Sequence, residues 1–402
     1  MRQWIFGVAA ICAVATASAQ PPQRLWLIQA SDRIDEYDLA TFTPLSSITV
    51  PAYVTRHPEH LKINAAGQLL FQLPNGISFG DTPEISGRIW FWDGTRGREM
   101  PAEDRDAFLS ADGRSLVWFA NSFLIDKDPD GNERSVRTSA RVWRTDLGGG
   151  SETTLISIPQ SPRCECSTGV CSESCPEWKM WARDGVVDTA FVLTQFTPGQ
   201  LEPSYKQSVL YRRAAARWQA SPLPSALEEI LTSDPTADML VETVLDGGCC
   251  GWINESSDQT AVIKAGQRIL LFDEFKRFGN ADYDISFYST AAAISPGRAL
   301  IAHSIESEKI EDDIRLSSDG KDNPAALKRI RAVSGELPIT EIIDLSDPSN
   351  AIATIPHVKV IGWLNDRELL VIDDGLLAVY DPRGKKSRAT TVRVTGAGAF
   401  LR

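Results

Sequence analysis

The sequence predicts an all-β fold, a single β-propeller of seven four-stranded blades, and three observations support this prediction. A polar turn followed by an apolar strand recurs along the chain, with clear copies at residues 63–71 and 109–118. The glycines of these two copies, Gly67 and Gly113, lie 46 residues apart. Repeats of about 40–50 residues that hold several strands are typical of propeller blades. No long amphipathic helical pattern separates the strands, which disfavours a doubly wound α/β fold.

Four weaker copies of the same turn and strand bring the total to six. They cover residues 182–187, 254–262, 294–301 and 363–371. In each copy Gly, Asp or Asn supplies a tight turn, and a run of apolar residues predicts a strand that is buried on both faces. Six copies indicate six blades that each begin with an inner strand.

The two ends of the chain predict a seventh blade. Residues 25–28, 33–39 and 46–50 read as three strands with no turn-anchored strand before them. The chain ends in an apolar segment, 399–401, that resembles the start of the best repeat at 107–109. We expect this segment to be the missing inner strand, because closing the ring removes the free sheet edges. Six and eight blades are the alternatives.

Helices are expected to be few. The only clear signal is a capping box, Ser225 to Glu228, which follows Pro224 and predicts a short helix ahead of Asp234. The fold therefore has one or two short helices, placed in insertions.

One repeat resembles a known family. Residues 110–118 read Ser-Ala-Asp-Gly-Arg-Ser-Leu-Val-Trp, which is similar to the WD40-like repeat of TolB-type bacterial propellers. The copies that begin at Ile294 and Trp363 are similar but degenerate. The resemblance implies a propeller over most of the chain, and it carries over no catalytic residue.

The first 19 residues are typical of a signal peptide. Arg2 precedes an apolar stretch at 4–14, and Ala17, Ser18 and Ala19 have the small-x-small pattern of a cleavage site. We expect the exported chain to begin at Gln20, so that residues 20–402 form the propeller domain in the periplasm or the medium. No other run approaches the ~20 apolar residues of a membrane-spanning helix.

Charge narrows the range of partners. The formal net charge is −12, which disfavours a nucleic acid or an anionic membrane surface. We expect a monomer with a protein or glycan partner. Three insertions, at 126–138, 162–176 and 306–324, are the places where a propeller usually carries its specificity.

Six of the seven cysteines follow the predicted signal peptide. An even number of cysteines in an exported chain favours disulfides. The alternative is a metal site formed by the thiolates of the first four of these cysteines. The spacings match neither zinc sites nor ferredoxin clusters. The pairing stays open, including a bond between the last two cysteines. The six residues are Cys164, Cys166, Cys171, Cys175, Cys249 and Cys250.

A short acidic motif is the only candidate for a metal site with a recognisable pattern. Asp126, Asp128 and Asp130 alternate ahead of a glycine, as in the first half of a calcium loop. The ninth and twelfth positions are Arg134 and Arg137, where that loop requires oxygen ligands. A solvated hairpin tip is therefore the preferred interpretation and calcium the alternative. No other cofactor is predicted.

No complete catalytic set is visible in the sequence. A binding or scaffold role for an envelope or extracellular partner is therefore preferred over an enzyme. The alternative is a propeller enzyme, either a metal-dependent hydrolase or lyase or a quinoprotein-like dehydrogenase. The adjacent pair Cys249 and Cys250 is the one feature that favours the last of these.

Overall fold

The structure is a computed structural model that describes residues 24–29, 32–56, 60–64, 66–72, 88–102, 105–148, 150–165, 175–198, 204–244, 259–278, 287–307, 332, 335–394 and 398–401. Within them the chain forms 29 strands and two short α-helices. The strands of the first half are β1 (Arg24–Gln29), β2 (Arg33–Asp38), β3 (Pro44–Thr49), β4 (Leu61–Ile63), β5 (Leu69–Gln72), β6 (Arg88–Trp92), β7 (Gly97–Pro101), β8 (Asp106–Leu109), β9 (Ser115–Lys127), β10 (Glu133–Asp146), β11 (Glu152–Ile158), β12 (Cys164–Glu165), β13 (Glu177–Trp181), β14 (Ala190–Thr197), β15 (Ser204–Ala214) and β16 (Arg217–Pro222). Those of the second half are β17 (Glu229–Asp234), β18 (Met239–Val244), β19 (Gln259–Lys264), β20 (Gln267–Asp273), β21 (Phe287–Ile294), β22 (Leu300–Ser307), β23 (Ile339–Asp344), β24 (Ala351–Pro356), β25 (Val358–Asn365), β26 (Glu368–Asp373), β27 (Leu376–Tyr380), β28 (Lys386–Arg393) and β29 (Gly398–Leu401).

The strands form seven antiparallel sheets, and each sheet is one blade. Blade 1 has the order β29-β1-β2-β3, and blades 2 to 7 take four consecutive strands each, from β4-β5-β6-β7 to β25-β26-β27-β28. Blade 3 also carries β12, which pairs with β10. The predicted seven-bladed, four-stranded propeller is therefore confirmed.

The ring is closed by the two ends of the chain. The inner strand of blade 1 is β29, which pairs antiparallel with β1 and sets Leu401 opposite Leu25 and Ala399 opposite Leu27. This pairing confirms the predicted closure. Leu25 and Leu27 are fully buried, so without β29 they would lie on an open sheet edge.

Apolar side chains fill the wedges between neighbouring blades. One cluster joins Leu25 and Leu27 of blade 1 to Leu370 and Leu377 of blade 7. The second strand of a blade is mostly apolar because both of its faces are covered, as in β5, where Leu69, Leu70 and Phe71 are fully buried. Each fully buried leucine contributes about 1.5–3 kcal/mol relative to an exposed one.

Polar side chains on the second strand of several blades bind the inner strand of the next blade. Gln72 Oε1 accepts a hydrogen bond of 2.7 Å from the backbone N–H of Ala107. Asn121 donates to the carbonyl of Trp178 at 2.9 Å and accepts from its N–H at 3.0 Å. Ser304 makes the equivalent bond in blade 6. These bonds satisfy the inner-strand backbone where no sheet partner is present.

The helix predicted from the capping box at Ser225 is wrong. That segment has no helical turn and leads directly into β17, the inner strand of blade 5. The reason is tertiary: Leu227 is fully buried, and its N–H donates to Ser208 Oγ in blade 4 at 3.0 Å. Packing between blades therefore overrides a local capping preference. The two α-helices are α1 (Ala52–Arg56) and α2 (Glu274–Phe278), both in connections between blades.

The repeat assigned to 254–262 is also misplaced. Residues 254–258 lie outside the described residues, and the rest belongs to β19, the third strand of blade 5. The turn between the first and second strands of that blade is instead a 3-10 turn at Pro235–Ala237. The side chain of Asp234 caps this turn, so a glycine-free sequence forms the turn that Gly supplies in the better repeats.

Among the described residues, no helix has the length and apolar character needed to cross a membrane.

Candidate functional site

The long connections of the propeller leave the ring on one face. In every blade the second and third strands are joined on the side where the inner strand begins, and the connection to the next blade lies on that side too. The longest of these are 73–87, 159–176 and 308–338, followed by 245–258. On the opposite face, no connection between strands of one blade exceeds the eight residues of 182–189. We call the first side the loop-bearing face.

A two-stranded ribbon projects from blade 3 at this face. β8 pairs with β9 only as far as Phe119, and β11 pairs with β10 only from Ala140 onward. The outer halves of β9 and β10 continue to pair with each other beyond these points. Its outer half carries three consecutive apolar residues: Phe123, Leu124 and Ile125 are 54%, 46% and 44% exposed. Such a run on a projecting strand is a candidate interaction surface.

A disulfide-linked segment packs against the outer side of the ribbon. Cys164 and Cys175 are bonded, with a Cα–Cα distance of 5.5 Å, and β12 sets Cys164 opposite Val136 of β10. Thr138 donates to the carbonyl of Pro176 at 2.5 Å. Val136 and Thr138 are buried as a result. The disulfide-linked segment thus contacts the β10 edge of the ribbon, whereas the outer half of the β9 edge pairs with no strand among the described residues.

The disulfide confirms part of the cysteine prediction. It uses two of the four thiolates that the alternative metal site required. The other four cysteines, Cys166, Cys171, Cys249 and Cys250, lie outside the described residues, so their pairing stays a prediction.

The acidic motif lies at the tip of the ribbon. The Asp128 carboxylate accepts a hydrogen bond of 3.0 Å from the N–H of Asp130 and one of 2.8 Å from Arg134 Nε. The bond from Arg134 is the main cause of the lowered pKa of Asp128. Asp126 lies 3.0 Å from Arg163 Nε. Within the described part of the chain, no group of three or more His, Cys, Asp or Glu side chains has the arrangement of a metal site. Calcium binding by these three aspartates stays a prediction.

Charged residues alternate near the loop-bearing ends of four successive inner strands. They are Lys62 in β4, Asp106 in β8, Lys179 in β13 and Glu229 in β17. Burial lowers the pKa of both lysines and raises the pKa of Asp106. Lys62 Nζ donates to the carbonyl of Ala107 at 2.6 Å.

Asp106 is the partly buried acidic member of this set. No described residue forms a hydrogen bond or an ion pair within 4 Å with its carboxylate, although both lysines lower its pKa against the effect of burial. Since inner strands line the axis of a propeller, this charged set can hold a polar or charged group that reaches the axis from the loop-bearing face.

A buried polar group in blade 6 has the residue types of a hydrolase triad but not its accessibility. Ser289 Oγ lies 2.8 Å from His303 Nδ1, and His303 Nε2 lies 3.6 Å from Glu341 Oε2. The three residues are 3%, 0% and 6% exposed, so a substrate has no access to the serine. Burial raises the pKa of Glu341, but His303 and a hydrogen bond of 2.7 Å from Arg277 outweigh it and lower the pKa to about 2.

This buried group has a structural role. Arg277 belongs to α2, in the connection from blade 5 to blade 6, and Glu341 belongs to the third strand of blade 6. Their ion pair therefore fixes α2 against the loop-bearing face.

Four tryptophans, in blades 2 and 4, pack between blades. Trp90 is buried in the cluster between blades 1 and 2, and Trp92 packs against the same cluster. Trp178 and Trp181 pack against the clusters on the two sides of blade 4. Their rings thus contribute to the core, and none of them forms an open aromatic platform.

The exposed run Phe123–Leu124–Ile125 and the alternating charges were missed by sequence reasoning. The run extends an apolar strand that begins at residue 116, so it could not be told from core until the ribbon was seen to extend past the blade. The four charges are separated by 44, 73 and 50 residues, and the longest step contains the ribbon and the cysteine-rich insertion. Aligning the inner strands by blade would have brought them together.

No protein-family model matches the sequence, and none of the curated protein sequences matches it. Solved structures do match. A functionally unknown protein from Desulfotomaculum acetoxidans is 8% identical with a TM-score of 0.40, over 94% of this chain and 98% of that one. Hydrazine synthase from Kuenenia stuttgartiensis is 13% identical with a TM-score of 0.42, over 93% and 99%. Apo AztD from Citrobacter koseri is 12% identical with a TM-score of 0.37, over 94% and 97%. At these identities and scores, no function is carried over to this chain.

Proposed function

We propose that the chain is an exported binding module whose loop-bearing face holds a protein partner in the envelope or the medium. The observation that carries the proposal is the exposed apolar run Phe123–Leu124–Ile125, which lies on the ribbon that projects from the loop-bearing face. Three exposed apolar side chains on one projecting strand favour a protein partner over a glycan, whose recognition relies on open aromatic platforms.

Two further observations support the location outside the cytoplasm. A disulfide bonds Cys164 to Cys175, and disulfides persist in oxidising compartments. The leader at residues 1–19, which lies outside the described residues, has the pattern of a signal peptide. The resemblance of residues 110–118 to TolB-type propellers is compatible with an envelope role. N-terminal sequencing of the exported protein should begin at Gln20, and a chain that retains the leader would contradict export.

The experiment that tests the proposal compares two sets of substitutions. In the ribbon variant, Phe123, Leu124 and Ile125 are each changed to serine. In the control variant, Leu45 and Ile352, which are 47% and 46% exposed on outer strands, are changed to serine. Each protein is immobilised and offered to the envelope fraction and the culture medium, and captured proteins are quantified by mass spectrometry.

We expect the wild type and the control variant to capture the same partner in equal amounts. The ribbon variant should capture at least 10-fold less, because truncation of a central apolar contact typically costs 2 kcal/mol or more. Equal capture by all three proteins, or no specific capture by any, would contradict the proposal.

A further inference from the structure

The ribbon leaves one backbone edge without a strand partner. In the described residues, β9 pairs with β8 only from Leu116 to Phe119, whereas its pairing with β10 continues to Lys127. On the side that faces the propeller axis, the edge of β9 beyond Phe119 therefore has no strand partner among the described residues. Open edges of this kind present backbone N–H and C=O groups to another chain.

The register indicates which residues present those groups. Ser110 donates its N–H to the carbonyl of Ser115, so the backbone groups of Ser115 point to the side of β9 on which β8 lies. Backbone groups alternate along a strand, and odd-numbered residues share this direction. Beyond Phe119 the backbone groups on this edge are therefore those of Asn121, Phe123, Ile125 and Lys127. Because their side chains also share a face, the edge combines unpaired backbone with two exposed apolar residues and a cation.

We propose that this edge is a strand-addition site, which takes an extended segment of the partner protein as an additional β-strand. The inference rests on the proposed function and names its partner class. Main-chain hydrogen bonds to Phe123 and Ile125 supply affinity, and alternate apolar side chains of the segment pack beside them. The segment carries an acidic residue beside Lys127, since no described residue forms a hydrogen bond or an ion pair with the side-chain ammonium of that lysine.

A second copy of this chain fits the edge less well. Antiparallel pairing of two β9 edges about Leu124 sets Lys127 opposite Asn121, whose amide is already bonded to Trp178. Pairing about Ile125 sets Lys127 opposite Phe123. Neither arrangement gives Lys127 a carboxylate, so charge complementarity favours a different chain with an acidic end.

The test uses a phage-displayed library of random dodecapeptides panned against the immobilised full chain. Peptides that also bind the Ile125→Pro variant are removed. Proline deletes the N–H at an edge position that β10 does not use, and edge strands tolerate it. The matched control is Ile125→Thr, which keeps the N–H. Enriched peptides are synthesised and their dissociation constants measured by fluorescence anisotropy.

We expect enriched peptides to alternate apolar residues and to carry Asp or Glu at a fixed offset. Ile125→Pro should weaken their binding about 10-fold, which corresponds to the loss of one hydrogen bond. Ile125→Thr should have a smaller effect, and Lys127→Glu should weaken binding of the acidic peptides about 5-fold. N-methylation of alternate peptide amides should abolish binding to the unmodified protein, which keeps the test valid should the proline variant misfold.

Three results would overturn the inference: no enrichment, enriched peptides that bind the methylated form equally well, or a concentration-dependent dimer of the chain that Ile125→Pro abolishes. None of them removes the proposed function by itself, because capture of a partner that depends on the ribbon side chains is measured separately.

Discussion

The bond between Asn121 and Trp178 allows a quantitative test of how the blades hold one another. Asn121 lies at the base of the ribbon, and its amide makes two hydrogen bonds, of 2.9 Å and 3.0 Å, to the backbone of the next inner strand. Replacing Asn121 by leucine keeps the side-chain volume but removes both the donor and the acceptor that bond to the backbone of Trp178. Two partly buried backbone groups are then left unpaired, and each costs about 1–3 kcal/mol. Since Asn121 and Trp178 retain some exposure, we expect a total loss of about 2–3 kcal/mol.

Equilibrium urea unfolding measures this loss as a shift in midpoint at constant slope. Asn121→Asp keeps the acceptor for the N–H of Trp178 but sets a carboxylate oxygen against the carbonyl of Trp178, so it should be destabilised as well. Ser122→Ala is the matched control, because Ser122 is exposed, and it should stay within about 0.5 kcal/mol of the wild type. An Asn121→Leu protein that unfolds within 0.5 kcal/mol of the wild type would refute the reasoning.

Three further predictions follow from the same structure. Glu341→Gln should lower the free energy of unfolding by up to about 3 kcal/mol at neutral pH, because the folded pKa is about 2 against the ordinary 4.5. That contribution is fully present above about pH 4.5 and lost as the pH falls towards 2, so the wild type and the variant should converge in acid unfolding curves; a constant difference would contradict the pKa. Deleting residues 398–402 removes β29 and should cost at least as much as one large core truncation, about 3–5 kcal/mol, in urea unfolding; a parental midpoint would contradict ring closure. Cys175→Ser should cost about 3 kcal/mol and raise amide hydrogen exchange at Val136, whereas unchanged exchange there would show that the disulfide does not hold the ribbon.

The blade count and the closure could be predicted from the sequence because both depend on strong local signals. A turn with Gly or Asp before an apolar run marks most inner hairpins. The N-terminal segment supplied three strands of blade 1 and the C-terminal segment supplied the fourth. The signal failed in blade 5, where Asp234 caps a 3-10 turn without glycine and a later segment, 254–262, matched the pattern better. It failed again at Leu227, where burial against blade 4 decides the conformation.

The candidate site was much less predictable. Cysteine parity anticipated a disulfide, but the pairing of Cys164 with Cys175 depends on how β12 lies along β10. The run Phe123–Leu124–Ile125 has the composition of a core strand, and only the length of β9 relative to β8 exposes it. Exposure of this kind is set by the relative lengths of paired strands, which hydrophobic periodicity does not report.

Hydrogen–deuterium exchange on the captured complex tests the central claim most directly, since it reports where on the propeller the partner binds. The account predicts that the partner slows exchange at residues 120–127 of β9 by at least 10-fold. The turns of the opposite face, 110–114 and 295–299, should exchange as in the free protein. Protection that is confined to those turns, with 120–127 unchanged, would contradict the assignment of the loop-bearing face as the binding surface.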